Sequence, residues 1–184
     1  GAFIITTKAF HYFLKETKIQ DQIKEILRKV DVDESEDLMK KAEEIREVIT
    51  STEIPEDLKK EIIEAYDNFN IDLDALKDSP GALAILKSSR EPIFVSVRSS
   101  STAEDLESAS FAGQQKSFLN VKGNQELLEK VKEVFASIFT ARSIYYRKKK
   151  GFESFVGIAV IVQKMINADK SGVMFSNHPV KNNK

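Results

Sequence analysis

The residues best suited to chemistry lie between Phe94 and Val121, in FVSVRSSSTAEDLESASFAGQQKSFLNV. An alternating apolar run, Phe94, Val95 and Val97, predicts a short buried strand. That strand delivers Arg98 into a block of hydroxyls, Ser99, Ser100, Ser101 and Thr102. Ser101 and Thr102 each stand three residues before an acid, Glu104 and Asp105, a capping-box spacing that predicts a short helical turn. Phe111-Ala112-Gly113-Gln114-Gln115 then sets a glycine among polar side chains, ahead of a second strand-like run from Ser117 to Val121. A permanently charged guanidinium, several hydroxyls and a glycine that lets backbone amides come close would together cradle a polyphosphate. The same residues also fit an ordinary strand, capped turn and hairpin with Arg98 in a structural ion pair, and residue chemistry leaves both readings open.

A second region of interest runs from Phe155 to Met165, where Val156, Ile158, Val160 and Val162 alternate with Gly157, Ala159 and Ile161. This is the composition of a strand buried on both faces. After Gln163-Lys164-Met165, the turn residues Asp169-Lys170-Ser171-Gly172 and the run Val173-Met174-Phe175 predict a returning strand. Such a hairpin can stack against an adenine, with Gln163 and nearby backbone reading its edge, or it can be plain sheet core; the sequence does not separate the two. His11 sits beside Phe10 and Tyr12 in a helix and reads as structural, while His178 precedes Pro179 in a loop and reads as a surface residue. No P-loop lysine motif, GxGxxG, HExxH, internal repeat or low-complexity tract is present.

The elements that must position these residues begin with a short apolar strand at 2–6. Thr7 then caps a helix with Phe10, Phe13 and Leu14 on one face, and Ile19, Ile23, Ile26, Leu27 and Val30 continue at helical spacing. Ser35 before Glu36 and Asp37 predicts a helix start, with Leu38, Ala42, Ile45 and Ile49 as its apolar stripe. Pro55, at a first-turn position, opens a helix that turns Leu58, Ile62, Tyr66 and Phe69 inward. Residues 70–92 read as a connector marked by Asp72, Asp74, Pro80-Gly81 and Pro92, with a short helix from Ala82 to Lys87. Asn124 caps what reads as the longest helix, its apolar positions recurring through Leu128, Val131, Phe135, Ile138, Arg142 and Tyr145. The Arg147–Lys150 basic run followed by Gly151 suits a helix C-terminus better than a nucleic-acid patch. The fold class is therefore α+β, with a mainly helical part at 1–92 followed by an α/β part at 93–184 that has a mixed or antiparallel sheet and one long helix.

With 184 residues, 41% of them apolar and 12 of them Phe, the chain can bury a core. Its 28 basic and 29 acidic residues nearly cancel, so neither nucleic acid nor an anionic membrane is favoured as a partner. The absence of cysteine excludes disulfides and thiolate metal sites and agrees with a reducing, cytoplasmic setting. No apolar run reaches the roughly 18 residues a membrane helix needs. The opening Gly1-Ala2-Phe3-Ile4-Ile5, without an initiating Met or a basic flank, reads as a cut made inside a longer protein.

The run VRSSSTAEDL followed by SFAGQQKSFLNV resembles the signature of the N-terminal nucleotide-binding domain shared by phosphoenolpyruvate synthase and pyruvate phosphate dikinase, and is closer to the synthase version. A weaker similarity extends over the whole chain. The resemblance implies one incomplete ATP-grasp-like domain that binds ATP between two α/β subdomains. The complete enzyme would pass a phosphate to a histidine on a swivelling domain and then to pyruvate on a barrel domain. By motif, Arg98 matches the arginine on the transferred phosphate and Gly113 the glycine of the loop covering the phosphates. Ser117 stands where the family usually has threonine, and Gln163 matches the glutamine at the adenine end. The family's GGKGANL segment would precede Gly1, and the residues holding Mg²⁺ would follow Lys184. A rifampicin phosphotransferase carries a similar signature, and a stand-alone interaction module is the reading outside enzymes. The resemblance thus implies half of a nucleotide site, which binds ATP weakly and completes no turnover by itself.

Overall fold

The computed structural model describes residues 1–70, 91–101, 116–149, 151 and 157–175. Four strands form one sheet, β1 (Ala2–Ile5), β2 (Phe94–Ser101), β3 (Ser117–Lys122) and β4 (Ile158–Lys164), in the order β1-β4-β2-β3. Every pairing is antiparallel. Among the described residues there are six α-helices: α1 (Thr7–Glu16), α2 (Ile19–Lys29), α3 (Ser35–Ser51), α4 (Glu56–Asp67), α5 (Asn124–Ala136) and α6 (Ala141–Lys149). α1 packs beneath β4, and α5 beneath β2, β3 and β4. α3 in turn packs on α5, α2 and α6.

The apolar stripes read from the sequence in α1–α3 are the ones buried, whereas along 124–149 Leu127, Val134 and Ile144 are buried, and of the expected stripe Leu128 is half-buried and Arg142 and Tyr145 are exposed. Phe10, Phe13 and Leu14 of α1, Ile23 of α2, and Ala42, Ile45 and Ile49 of α3 are at most 4% exposed. They join Val95, Val97, Val121, Val160 and Val162 of the sheet in one contiguous core. Phe135 of α5 stands at its centre, its ring centroid 5.1 Å from Phe10 and 5.6 Å from Phe13. The core draws on both the first 70 residues and the later strands, because β1 pairs with β4 across the chain.

Local details depart from the sequence reading. The first apolar stripe is broken at Lys18, whose left-handed backbone (φ 61°) separates α1 from α2. The positions flagged as caps at Thr7 and Asn124 are the first helical residues; Thr6 and Gly123 precede them, and neither gives a side-chain capping bond. Gly123 takes φ 90°, where a Cβ would be strained. Ser35 likewise starts α3 as its first residue, and Pro55 stands just before α4 rather than inside it. The expected single long helix from Asn124 is two helices. Ser137 turns back on the Val134 carbonyl with both its N–H and its hydroxyl, and Thr140 then caps α6 by accepting from the Ser143 N–H at 3.2 Å. The longest helix among the described residues is instead α3, with 17 residues. Gly151 does end α6 with φ 69°, donating to the Lys148 carbonyl.

β4 is buried on one face only, since Ile158, Val160 and Val162 point to the helices while Ala159 and Ile161 are half-buried and Gln163 is exposed. The expected hairpin after it is not formed. Residues 165–175 carry no helix or strand, and Val173, Met174 and Phe175 are exposed. The reason is topological: β1 and β2 occupy both hydrogen-bonding edges of β4, so a returning strand has no ladder to join there. The short helix expected at Ala82–Lys87 lies outside the described residues.

Candidate functional site

The strand carrying Arg98 is longer than the apolar run suggested, for β2 continues through the serines to Ser101. Alternation then splits the hydroxyl block. Val95, Val97 and Ser99 face the helices, and Ser99, 7% exposed, donates from its hydroxyl to the Lys116 carbonyl at 3.4 Å. Ser96, Arg98 and Ser100 point to the opposite, outer face, where Arg98 is exposed. The cradle expected from contiguous hydroxyls is thus divided, and Ser99 is not on Arg98's side of the sheet. Thr102, Glu104 and Asp105 of the expected capping box lie outside the described residues, as does Gly113.

The ladder brings the remaining predicted residues together on that outer face. Arg98 is paired directly with Ser117 of β3 on one side and with Ile161 of β4 on the other. Directly paired Cα atoms in an antiparallel ladder stand about 4.5–5.5 Å apart, so the Arg98 and Ser117 side chains are neighbours. Gln163 is paired with Ser96, one step along the same face. Arg98, Ser117 and Gln163 therefore share one surface, and all three are exposed. Among the described residues, no side-chain hydrogen bond or ion pair engages the exposed Arg98 guanidinium.

Two features fix this geometry. One is an extra residue in β3: pairing steps from Val95↔Val121 to Val97↔Phe118, with Asn120 in the left-handed region (φ 59°). This bulge sets Ser117, rather than a neighbour, opposite Arg98. The other is Tyr66 of α4, which is 4% exposed. Its hydroxyl donates to the Ile93 carbonyl at 2.6 Å and accepts from the Gly123 N–H at 3.0 Å, tying the entrance of β2 to the exit of β3. Burial pushes the Tyr66 phenol up from its ordinary pKa, so it remains a donor at neutral pH. Elsewhere Arg147 of α6 is pushed down to about 10 by burial; its Nη2 and Nε donate to the Ile138 and Ser143 carbonyls, closing the α5–α6 joint.

The sequence did not single out Ser96, although its two-residue spacing from Arg98 was a visible signal; Ser100, part of the expected hydroxyl block, lies on Arg98's side. Ile161 lies beside Arg98, and Ile4 beside Ile161, through pairings between distant segments that the sequence did not show. Among the described residues, no group of three or more His, Asp or Glu side chains could hold a metal ion. None of their helices is long and apolar enough to cross a membrane.

Comparison with known families matches residues 1–184 to pyruvate phosphate dikinase, AMP/ATP-binding domain. The chain belongs to this family. It is 45% identical over 183 residues to the probable phosphoenolpyruvate synthase of Archaeoglobus fulgidus, covering 99% of this chain and 22% of that protein. The probable phosphoenolpyruvate synthase of Methanocaldococcus jannaschii is 43% identical over 183 residues, again 99% of this chain but 14% of the relative. The phosphoenolpyruvate synthase of Pyrococcus furiosus is 42% identical over 167 residues, 90% of this chain and 19% of the relative. The chain thus spans less than a quarter of the length of each of these three relatives, all of which carry the synthase name.

Proposed function

We propose that this chain is the ATP-binding portion of a phosphoenolpyruvate synthase, a cytoplasmic enzyme that converts pyruvate to phosphoenolpyruvate with release of AMP and phosphate. The observation that carries the reading is the convergence of Arg98, Ser117 and Gln163 on one open sheet face. Arg98 presents a planar, permanently charged fork to the oxygens of the transferred phosphate. Its charge stabilises the negative charge spread over those oxygens as the phosphoryl group leaves. Ser117 donates its hydroxyl to a neighbouring phosphate oxygen, Gly113 belongs to the loop over the phosphates, and the Gln163 amide meets the base. The domain is ATP-grasp-like, and its other subdomain supplies the second wall and the ligands for Mg²⁺. The phosphate travels to a histidine on a separate domain, and the acceptor is selected there, where a dikinase or a rifampicin phosphotransferase would differ.

The test is phosphorylation of that histidine by ATP in the full-length synthase. Arg98→Ala is expected to slow it by roughly 10²–10³-fold, the usual consequence of removing one group that stabilises developing charge. Arg98→Lys should recover part of the rate, since it keeps charge but not the fork. Unchanged phosphorylation in Arg98→Ala would rule the reading out.

A further inference from the structure

We propose that the nucleotide lies across the strands with its base seated on Ile4 of β1 and Ile161 of β4, which makes Ile4 a base-contacting residue. This rests on the ATP-site reading above and adds a place for the base. The registers Ile4↔Ile161, Ile161↔Arg98 and Arg98↔Ser117 put four side chains in a single row across all four strands. The chemistry changes along that row from two isoleucines to a guanidinium and a hydroxyl. A nucleoside triphosphate has the same order, from an aromatic base to anionic oxygens. Neighbouring strands lie about 4.8 Å apart, so the row is about 14 Å long, comparable to an extended nucleoside triphosphate.

Ile4 is 60% exposed, whereas Ile5, its neighbour on the helix face, is 5% exposed. Among the described residues nothing covers it. The charge at the other end of the row distinguishes this face from a plain docking surface: a covering protein segment would need an acid at Arg98 as well as an apolar side chain at Ile4, and a nucleotide carries both. Gln163 flanks Ile161 on the same face, paired with Ala2 on one side and Ser96 on the other. These two small neighbours leave the amide room to reach the edge of a base lying on the isoleucines.

The experiment compares the full-length synthase with its Ile4→Thr variant, which stays β-branched and so keeps its preference for a strand. Affinities for ATP and for inorganic tripolyphosphate are measured by calorimetry, alongside a thermal melt. The expected result is roughly a five- to tenfold weaker ATP affinity, from lost apolar contact, with tripolyphosphate affinity unchanged. An unchanged ATP affinity overturns the proposal, and so does an equal loss for both ligands, which would signal a displaced strand or a covering segment. Arg98→Ala in the same assay separates this from the underlying reading, because it should weaken both ligands. If Arg98→Ala weakens both and Ile4→Thr weakens neither, the base seat is wrong and the ATP site stands; if neither variant changes either affinity, the ATP site itself is wrong.

Discussion

Arg98 lies on the outer face because of parity: Val97 and Ser99 on either side of it face the helices, so the residue between them faces away. That much was legible from the alternation of Phe94, Val95 and Val97. The division of the serines was not, because a run of small hydroxyl residues carries no apolar alternation to mark a strand continuing to Ser101. Tyr66 is the residue whose role was least visible. The sequence showed only its place on an apolar helical stripe, while its hydroxyl spans to Ile93 and Gly123, 27 and 57 residues further along the chain. Tyr66→Phe keeps the ring and removes both bonds, leaving a part-buried N–H and carbonyl without this partner. Stability should fall by about 1–3 kcal/mol, read as a lower urea midpoint at unchanged m-value. A midpoint equal to that of the unsubstituted chain would mean that solvent replaces the phenol.

At the scale of elements, the amphipathic helices were readable because their apolar period is local, and the breaks between them were not. The stripe through Val131, Phe135 and Ile138 continues across Ser137–Thr140, since Ile138 and Phe139 are buried although the helix has ended. The T-x-x-S spacing of Thr140 and Ser143 was the available sign of a new helix start. Strand partners were less legible still, since β1 meets β4 across more than 150 residues and only the completed sheet shows β4 flanked on both edges. The junction of β4 with α1 makes a prediction of its own. A Cβ at Gly157 would lie 3.0 Å from Thr7 Cγ2 and 3.5 Å from His11 Nε2, so β4 enters directly over the first turn of α1. Gly157→Ala should cost about 1–3 kcal/mol through overpacking, and Thr7→Ser, which removes the Cγ2 methyl but keeps the Thr7 Cβ at 3.1 Å, should restore part of it. Thermal melts of the single and double variants check this, and a double variant no more stable than Gly157→Ala would locate the conflict elsewhere.

For the whole molecule, a single core joins the first 70 residues to the later strands, and on the outer face of the sheet Ile4, Arg98, Ser117 and Gln163 are exposed. Small-molecule sites normally enclose about 70–90% of their ligand, which one sheet face does not do. The family's longer proteins, of which this chain spans 14–22% in the three relatives compared, have room for a second wall. The chain by itself should therefore fold cooperatively yet bind ATP weakly and complete no turnover, whereas the full-length protein should bind tightly. Ligand stabilisation gives the comparison directly: ATP at one hundred times its dissociation constant adds about 2.7 kcal/mol. That amounts to a rise in melting temperature of roughly 5–10 °C for a domain of this size. At an ATP concentration that gives this rise in the nucleotide-binding domain of the full-length protein, the 184-residue chain should move by less than about 1 °C, because the ligand remains below its dissociation constant there. Micromolar or tighter ATP binding by the isolated chain would show that the sheet face and its neighbouring loops already enclose the nucleotide, and the second wall would then serve the chemistry rather than the binding.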